Sequence, residues 1–106
     1  MQNSELIKEL TNCAQTCNAC FNACLNEEDV AMMARCIELD RECSDICYLT
    51  ASLVARDSEN IEKYLALCAE ICELCAEECG KHEADHCKEC AEACKRCAEV
   101  CRAQAA

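Results

Sequence analysis

The sequence predicts an all-α protein, an antiparallel up-down-up-down four-helix bundle with a Cys-lined core. Three observations lead to this fold class. The 106 residues include no Pro and one Gly, so almost nothing interrupts helix formation. The 16 cysteines and other apolar residues recur at alternating steps of four and three, the inward stripe of a bundle helix. Short connections between helices favour antiparallel neighbours. We expect a single domain over residues 1–106.

Four helices are expected in order along the chain. They span residues 4–25, 27–56, 59–79 and 86–103. Each is predicted to begin at a side chain that caps helix N-termini: Asn3 or Ser4, then Asn26, then Asp57 or Ser58, and finally Asp85. Gly80 is predicted to end the third helix in a left-handed conformation, which glycine adopts without strain.

Every cysteine falls on an inward stripe. The stripe of the first helix is Leu6, Leu10, Cys13, Cys17, Cys20 and Cys24. That of the second is Cys36, Asp40, Cys43, Cys47, Thr50 and Val54. The third and fourth stripes are Ile61, Leu65, Cys68, Cys72, Cys75 and Cys79, and Cys87, Cys90, Cys94, Cys97 and Cys101.

Alternating the helix directions groups the stripes into layers, to within about one turn. The upper layers are Cys24, Cys36, Cys79 and Cys87; Cys20, Asp40, Cys75 and Cys90; Cys17, Cys43, Cys72 and Cys94; and Cys13, Cys47, Cys68 and Cys97. Cys101 is expected beside Leu10, Thr50 and Leu65, above an apolar floor of Leu6, Val54 and Ile61.

Composition argues against several classes of partner. Ten Lys and Arg stand against 21 Asp and Glu, and the net charge of -11 disfavours nucleic acids and anionic membranes. No apolar segment approaches the ~20 residues that span a bilayer. The start, MQNSELIKEL, lacks the basic run and apolar stretch of a secretory signal, so we expect a cytoplasmic protein. In a reducing cytosol, a Cys-rich chain is expected to bind metal or do redox chemistry.

The inward thiols have three competing interpretations. As small hydrophobes, 16 cysteines would underfill the core. Cysteines three or four residues apart on one helix project side by side, which suits disulfide bonds poorly. Their sulfurs can nevertheless converge on one ion. Metal binding is therefore the leading hypothesis.

The softness of thiolate ligands and the net charge of a metal-loaded core favour Cu(I) as the metal, with multiple ions per chain. Thiolates select Cu(I), Zn(II) and iron-sulfur clusters. Zn(II) held by four thiolates would leave net negative charge in the core, with no Lys or Arg on the stripes to offset it. Cu(I) accepts two or three thiolates and shares bridging sulfurs, which predicts roughly 8 to 20 ions per chain. Iron-sulfur clusters are disfavoured because their cysteines typically sit on irregular loops.

Softer or neutral ligands gather at the upper end of the bundle, which we call the mouth. Met32 and Met33 begin the second helix, and His82 and His86 flank the start of the fourth. Thioether and imidazole bind Cu(I) without the strong hold of a thiolate, as a site where metal enters requires. The methionines are equally explained as an apolar lid, and His82 as a surface or capping residue.

Asp40 is the one acidic residue on a stripe. It is a candidate to hydrogen-bond neighbouring thiols, to take part in proton release, or to pair with His86 or an Arg. The alternative is a local rotation of the helix that exposes Asp40 to solvent.

The chain resembles the cysteine-rich four-helix-bundle copper storage proteins, in particular their cytosolic branch. The resemblance is carried by C-x3-C pairs such as Cys13 with Cys17 and Cys20 with Cys24, by LDRECSDIC at 39–47, and by CGKHEADHCKEC at 79–90. It implies a bundle folded before metal arrives, many Cu(I) ions held by thiolates, uptake at the end that bears His and Met, and a homotetramer. Asp40, Thr50 and the leucine floor occupy stripe positions without thiols, which reduces the implied capacity.

The leading hypothesis is therefore a Cu(I) storage and detoxification protein without catalytic turnover. A zinc buffer like metallothionein is one alternative. An iron-sulfur or dithiol electron carrier is the other, although this acidic chain offers little cationic help for thiolate formation.

Overall fold

The fold is a rod of four antiparallel helices, as predicted. The computed structural model describes residues 1–105. Its helices are α1 (Asn3–Leu25), α2 (Ala34–Ala55), α3 (Ile61–Cys79) and α4 (Asp85–Ala105). Each helix packs against two neighbours, and the diagonal pairs make no close approach within this range. The rod measures 44 × 19 × 19 Å, so every stripe faces one narrow central shaft.

The start of α1 and the connection from α1 to α2 both differ from the predicted helix starts. Gln2, rather than Asn3 or Ser4, precedes α1, and its carbonyl accepts from the backbone of the first turn. Asn26 ends α1 rather than opening α2: its backbone N–H donates to the Ala23 carbonyl at 3.1 Å. A 3-10 turn over Val30–Met33 follows and leads into α2.

Asp29 opens that 3-10 turn. Its Oδ1 accepts a hydrogen bond from the Met32 N–H at 3.3 Å, the geometry of an N-terminal cap. An N-terminal cap therefore exists in this connection, but it is Asp29, three residues after the predicted Asn26. Short polar side chains near a chain reversal can serve either helix end, and only the backbone path decides between them.

The second connection reverses the predicted role of Asp57. Its φ of 53° is left-handed, a conformation that Asp tolerates better than most residues. The Asp57 N–H donates to the Val54 carbonyl at 3.2 Å and the Ser58 N–H to the Leu53 carbonyl at 3.0 Å. These two bonds form a Schellman motif, so Asp57 ends α2. The Ser58 hydroxyl accepts from the Asn60 N–H at 3.1 Å, just before α3 begins.

The third connection corrects the prediction for Gly80. With a φ of -64°, Gly80 has a right-handed helical conformation. Its N–H donates to the Ala76 carbonyl at 2.9 Å and so continues the hydrogen bonding of α3. A Cβ at this position would lie 3.1 Å from that carbonyl oxygen, a close contact that glycine avoids. The α4 helix begins at Asp85 itself, so this residue lies in the first turn rather than at the cap. A negative charge there still favours the helix dipole.

The core divides into a thiol-lined upper part and an apolar floor. All 16 cysteines are buried. Of the predicted floor, Leu6 and Val54 are buried and Ile61 is partly buried. Leu10 and Leu65, which are at most 1% exposed, extend this floor. Asp40, Ser44 and Thr50 are the buried polar side chains of residues 1–105. No described helix combines the length and hydropathy that a bilayer-spanning segment needs.

Candidate metal centre

The four stripes bring sulfur atoms from different helices into contact. The Sγ atoms of Cys36 and Cys79 lie 3.2 Å apart, joining α2 to α3 near the mouth. Those of Cys17 and Cys94 lie 3.5 Å apart, joining α1 to α4. All 16 cysteines are free thiols. The shaft is therefore lined by thiols that can meet a shared ion.

Helix geometry explains why neighbouring thiols on one helix complement these contacts. Residues four apart lie on the same face, about one turn from each other. The Sγ atoms of Cys20 and Cys24 are 3.8 Å apart, and those of Cys43 and Cys47 are 4.0 Å apart. A sulfur such as that of Cys43 thus has partners both along its own helix, at Cys47, and across the shaft, at Cys72.

The sulfurs meet within the predicted layers, as Cys43 and Cys72 do at 3.6 Å, and also between layers, so that they form overlapping groups. At least three all-Cys groups have every sulfur within 4.8 Å of the others. Three of them are Cys13, Cys47, Cys72 and Cys97; Cys13, Cys17, Cys43 and Cys94; and Cys17, Cys75, Cys90 and Cys94. Cys13, Cys17 and Cys94 each belong to two of these groups. Shared sulfurs are the arrangement that bridging thiolates require.

Asp40 lies inside the thiol shaft and is 0% exposed. Its Oδ1 accepts hydrogen bonds from the thiols of Cys90 at 3.2 Å, Cys75 at 3.4 Å and Cys79 at 3.4 Å. The structure therefore shows the thiol-bonded alternative. Within residues 1–105 the alternative of a pairing with His86 or an Arg is not found, and the alternative of a rotation into solvent is wrong.

The environment of Asp40 favours its neutral form. Burial, together with the nearby sulfur of Cys90, raises the pKa of this carboxyl from 3.8 to about 10. Burial likewise raises the pKa of the Cys87 thiol to about 11. With no Lys or Arg among the buried described residues, the metal-free shaft is best kept neutral by retaining these protons.

His86 lies at the upper end of the shaft, in contact with thiols. Its Nδ1 is 3.4 Å from Cys20 Sγ and 3.5 Å from Cys87 Sγ. With Cys24 these atoms form a group within 4.8 Å of one another. The imidazole can therefore contribute a neutral nitrogen to a mixed thiolate site.

Within residues 1–105 His82 makes no hydrogen bond to a thiol, although its side chain is 10% exposed against 23% for His86. The Nε2 of His82 is 2.8 Å from Glu78 Oε2, and Glu78 also pairs with Arg35 and Lys81. His82 lines a groove of about 510 Å³ together with both methionines.

The two methionines of that groove differ in exposure. Met33 is 3% exposed, whereas Met32 is 64% exposed. Met33 packs in the core, as the lid interpretation expects, and Met32 is open to an arriving ion.

Two carboxylates that hold the histidines were missed by sequence analysis. Glu27 Oε2 lies 2.9 Å from His86 Nε2, and Glu78 holds His82. Glu78 stands four residues before His82, a spacing that could have signalled the contact. Nothing in the sequence distinguishes Glu27 from the other acidic residues, because it meets His86 only through the fold.

Comparisons with known proteins agree with this geometry. A family model described as copper storage protein matches residues 1–106. The Cu(I)-bound copper storage protein BsCsp3 of Bacillus subtilis is 49% identical, with a TM-score of 0.94 over 99% of this chain and 100% of that chain. A cytosolic copper storage protein of Streptomyces lividans, with five coppers, is 37% identical, with a TM-score of 0.91 over 95% of this chain and 89% of that one.

A curated relative gives a further match. The cysteine-rich protein YhjQ of Bacillus subtilis is 49% identical over 67 residues. The matched segment is 63% of this chain and spans 62% of the length of that relative.

Proposed function

Since this chain belongs to the copper storage protein family, we propose that it stores many Cu(I) ions on the thiolates inside its bundle. The observation that supports this most strongly is the set of overlapping sulfur groups along the shaft, within each of which the ligand atoms lie within 4.8 Å of one another. Neighbouring sulfurs approach to between 3.2 Å and 4.0 Å, and the four-atom groups share members. Copper is cargo here: it is bound and released without catalytic turnover.

The charge of the shaft supports Cu(I) over a divalent metal. Each thiol that binds Cu(I) exchanges one proton for one positive charge, so a core loaded with about one ion per thiolate stays near neutral. Zn(II) in a four-thiolate site leaves two net negative charges, which a buried site tolerates poorly without cations. Asp40 brings no lasting negative charge as long as it holds its proton.

The proposed ligands fall into two sets. The thiolates of the shaft are the main ligands: Cys13, Cys17, Cys20, Cys24, Cys36, Cys43, Cys47, Cys68, Cys72, Cys75, Cys79, Cys87, Cys90, Cys94, Cys97 and Cys101. At the mouth, His86 and Met32 are proposed to receive arriving ions, with Met33 and His82 behind them at the groove. Asp40 is proposed to contact copper bound by its neighbouring thiols.

Zinc buffering is the second candidate, because three all-Cys groups have the ligand number of a tetrahedral zinc site. Anaerobic titration against a strong competing chelator separates the two. Copper storage predicts roughly 8 to 20 Cu(I) retained per chain. Saturation near four Cu(I) ions per chain, together with Zn(II) binding as tight as Cu(I) binding, would favour zinc buffering over copper storage. Visible iron-sulfur absorption would exclude both.

We propose that the copper-loaded protein works in the cytoplasm as a homo-oligomer, with four copies as the expected number. The relative from Streptomyces lividans is described as cytosolic. Tyr48 and Leu49 on α2, and Leu67 and Leu74 on α3, are each more than 40% exposed and offer apolar surface for such a contact. Analytical ultracentrifugation should give a mass above 11.7 kDa, and Tyr48→Glu should lower it. A monomer at all concentrations would contradict this assembly.

A further inference from the structure

The imidazole of His86 joins two different chemical groups. Its Nε2 lies 2.9 Å from a carboxylate oxygen of Glu27, in the connection between α1 and α2. Its Nδ1 lies 3.4 Å and 3.5 Å from the sulfurs of Cys20 and Cys87. The ring is 23% exposed and the glutamate 38%, so the contact sits at the boundary between solvent and shaft.

Hydrogen-bond chemistry assigns the ring nitrogens. A carboxylate only accepts hydrogen bonds, and a neutral imidazole has one N–H and one lone pair. The short contact to Glu27 therefore places the N–H on Nε2 and leaves the lone pair on Nδ1. That lone pair faces the group formed by Cys20, Cys24 and Cys87, whose ligand atoms lie within 4.8 Å of one another.

We propose that Glu27 is a positioning residue for copper: it holds His86 in the tautomer and orientation that present Nδ1 to the mouth thiols. This inference rests on the proposed function for the identity of the ion. Metal-binding histidines commonly donate their other N–H to a carboxylate, and removing that partner weakens metal binding about 10- to 100-fold. Glu27 would act without touching the ion.

The second histidine of the mouth shows why this contact is distinctive. His82 also pairs with a glutamate, at 2.8 Å, but Glu78 is four residues away on the same stretch of chain and is shared with two basic side chains. Within residues 1–105, no thiol hydrogen-bonds to His82, whereas two thiols face His86. The Glu27 contact instead links the α1–α2 connection to the start of α4, across the mouth of the shaft.

Nitrogen-15 NMR of the histidine rings tests the proposal, first without copper. In the reduced, copper-free protein at mildly alkaline pH, His86 is expected as the Nε2–H tautomer, with a bare Nδ1. In Glu27→Ala, a mixture of both tautomers is expected. A proton on Nδ1 in the wild-type protein would overturn the proposal. This readout does not involve copper, so it stands even if the chain were to retain few Cu(I) ions.

The same signals then report copper at the mouth, because Cu(I) on Nδ1 shifts its resonance. In Glu27→Ala, the free Cu(I) concentration for half of that shift should rise about 10-fold or more. Glu28→Ala removes the same charge from the adjacent exposed position and should leave the shift unchanged. Glu27→Gln keeps an oxygen acceptor and should fall between them. Equal behaviour of the Glu27→Ala and Glu28→Ala proteins, both folded by circular dichroism, would overturn the role of Glu27.

Discussion

Replacing Asp40 by Asn should change how the stability of the copper-free protein depends on pH. The side chain is 0% exposed, three thiols donate to its Oδ1, and burial raises the pKa of the carboxyl from 3.8 to about 10. In the unfolded chain the carboxyl ionises near its ordinary value. Between these two values, folding therefore takes up one proton at Asp40.

The sign and size of the effect follow from that proton. Because the folded state binds the extra proton, rising pH disfavours folding by about 1.4 kcal/mol per pH unit between the two pKa values. The favourable contribution of protonated Asp40 is full below about pH 4 and is lost as the pH rises towards 10. From pH 5 to pH 8 the loss amounts to about 4 kcal/mol.

Asp40→Asn keeps the shape and is neutral at every pH. It replaces a hydrogen-bonded carboxyl by an amide, at a cost of about 1 kcal/mol at pH 5. At pH 8 the variant should be the more stable protein by about 3 kcal/mol, because only the wild type has lost the protonation contribution. The order of stability of the two proteins is thus expected to invert between these pH values.

Guanidinium unfolding of the reduced, anaerobic proteins, followed by circular dichroism, measures this inversion. All 16 thiols are present in both proteins, so the difference in free energy of unfolding reports Asp40 together with its coupling to the thiols that it contacts. A difference that stays constant from pH 5 to pH 8 would refute the reasoning, since Asp40 would then titrate alike in the folded and unfolded chains.

Three further outcomes are expected. Met32→Ala combined with Met33→Ala should slow copper loading and leave capacity nearly unchanged; stopped-flow loading at an unaltered rate would remove the methionines from the route. The buried Met33 also makes the double variant about 2–5 kcal/mol less stable, so Met32→Ala alone is the matched control. Leu10→Ala, at a 0% exposed floor position, should lower the free energy of unfolding by about 2–5 kcal/mol and leave the number of Cu(I) ions bound per chain unchanged. A fall in that number would mean that floor packing helps to form the thiolate sites. Loading should release about one proton per coordinating thiol and tighten with pH, as a pH indicator in weak buffer would show; no release at neutral pH would mean that the thiols are ionised before copper arrives.

Local signals of the sequence predicted the helices better than their ends. The four-and-three spacing predicted every inward cysteine, since that period follows from helix geometry alone. Asn26, Asp57 and Gly80 were each assigned the wrong conformation or the wrong helix end. Short polar residues and glycine suit several positions around a helix terminus, so the packing of the connection decides which one they take.

The sequence by itself determined that this chain is helical and that 16 thiols share one interior, because both follow from residue type and period. Only the tertiary structure decided which groups of neighbouring layers meet. Cys13 contacts Cys43 and Asp40 accepts from Cys79 because of the stagger between helices, which depends on how whole helices pack. The same packing brings Glu27 to His86, a contact that no local rule of spacing indicates, whereas the four-residue spacing of Glu78 and His82 already points to theirs.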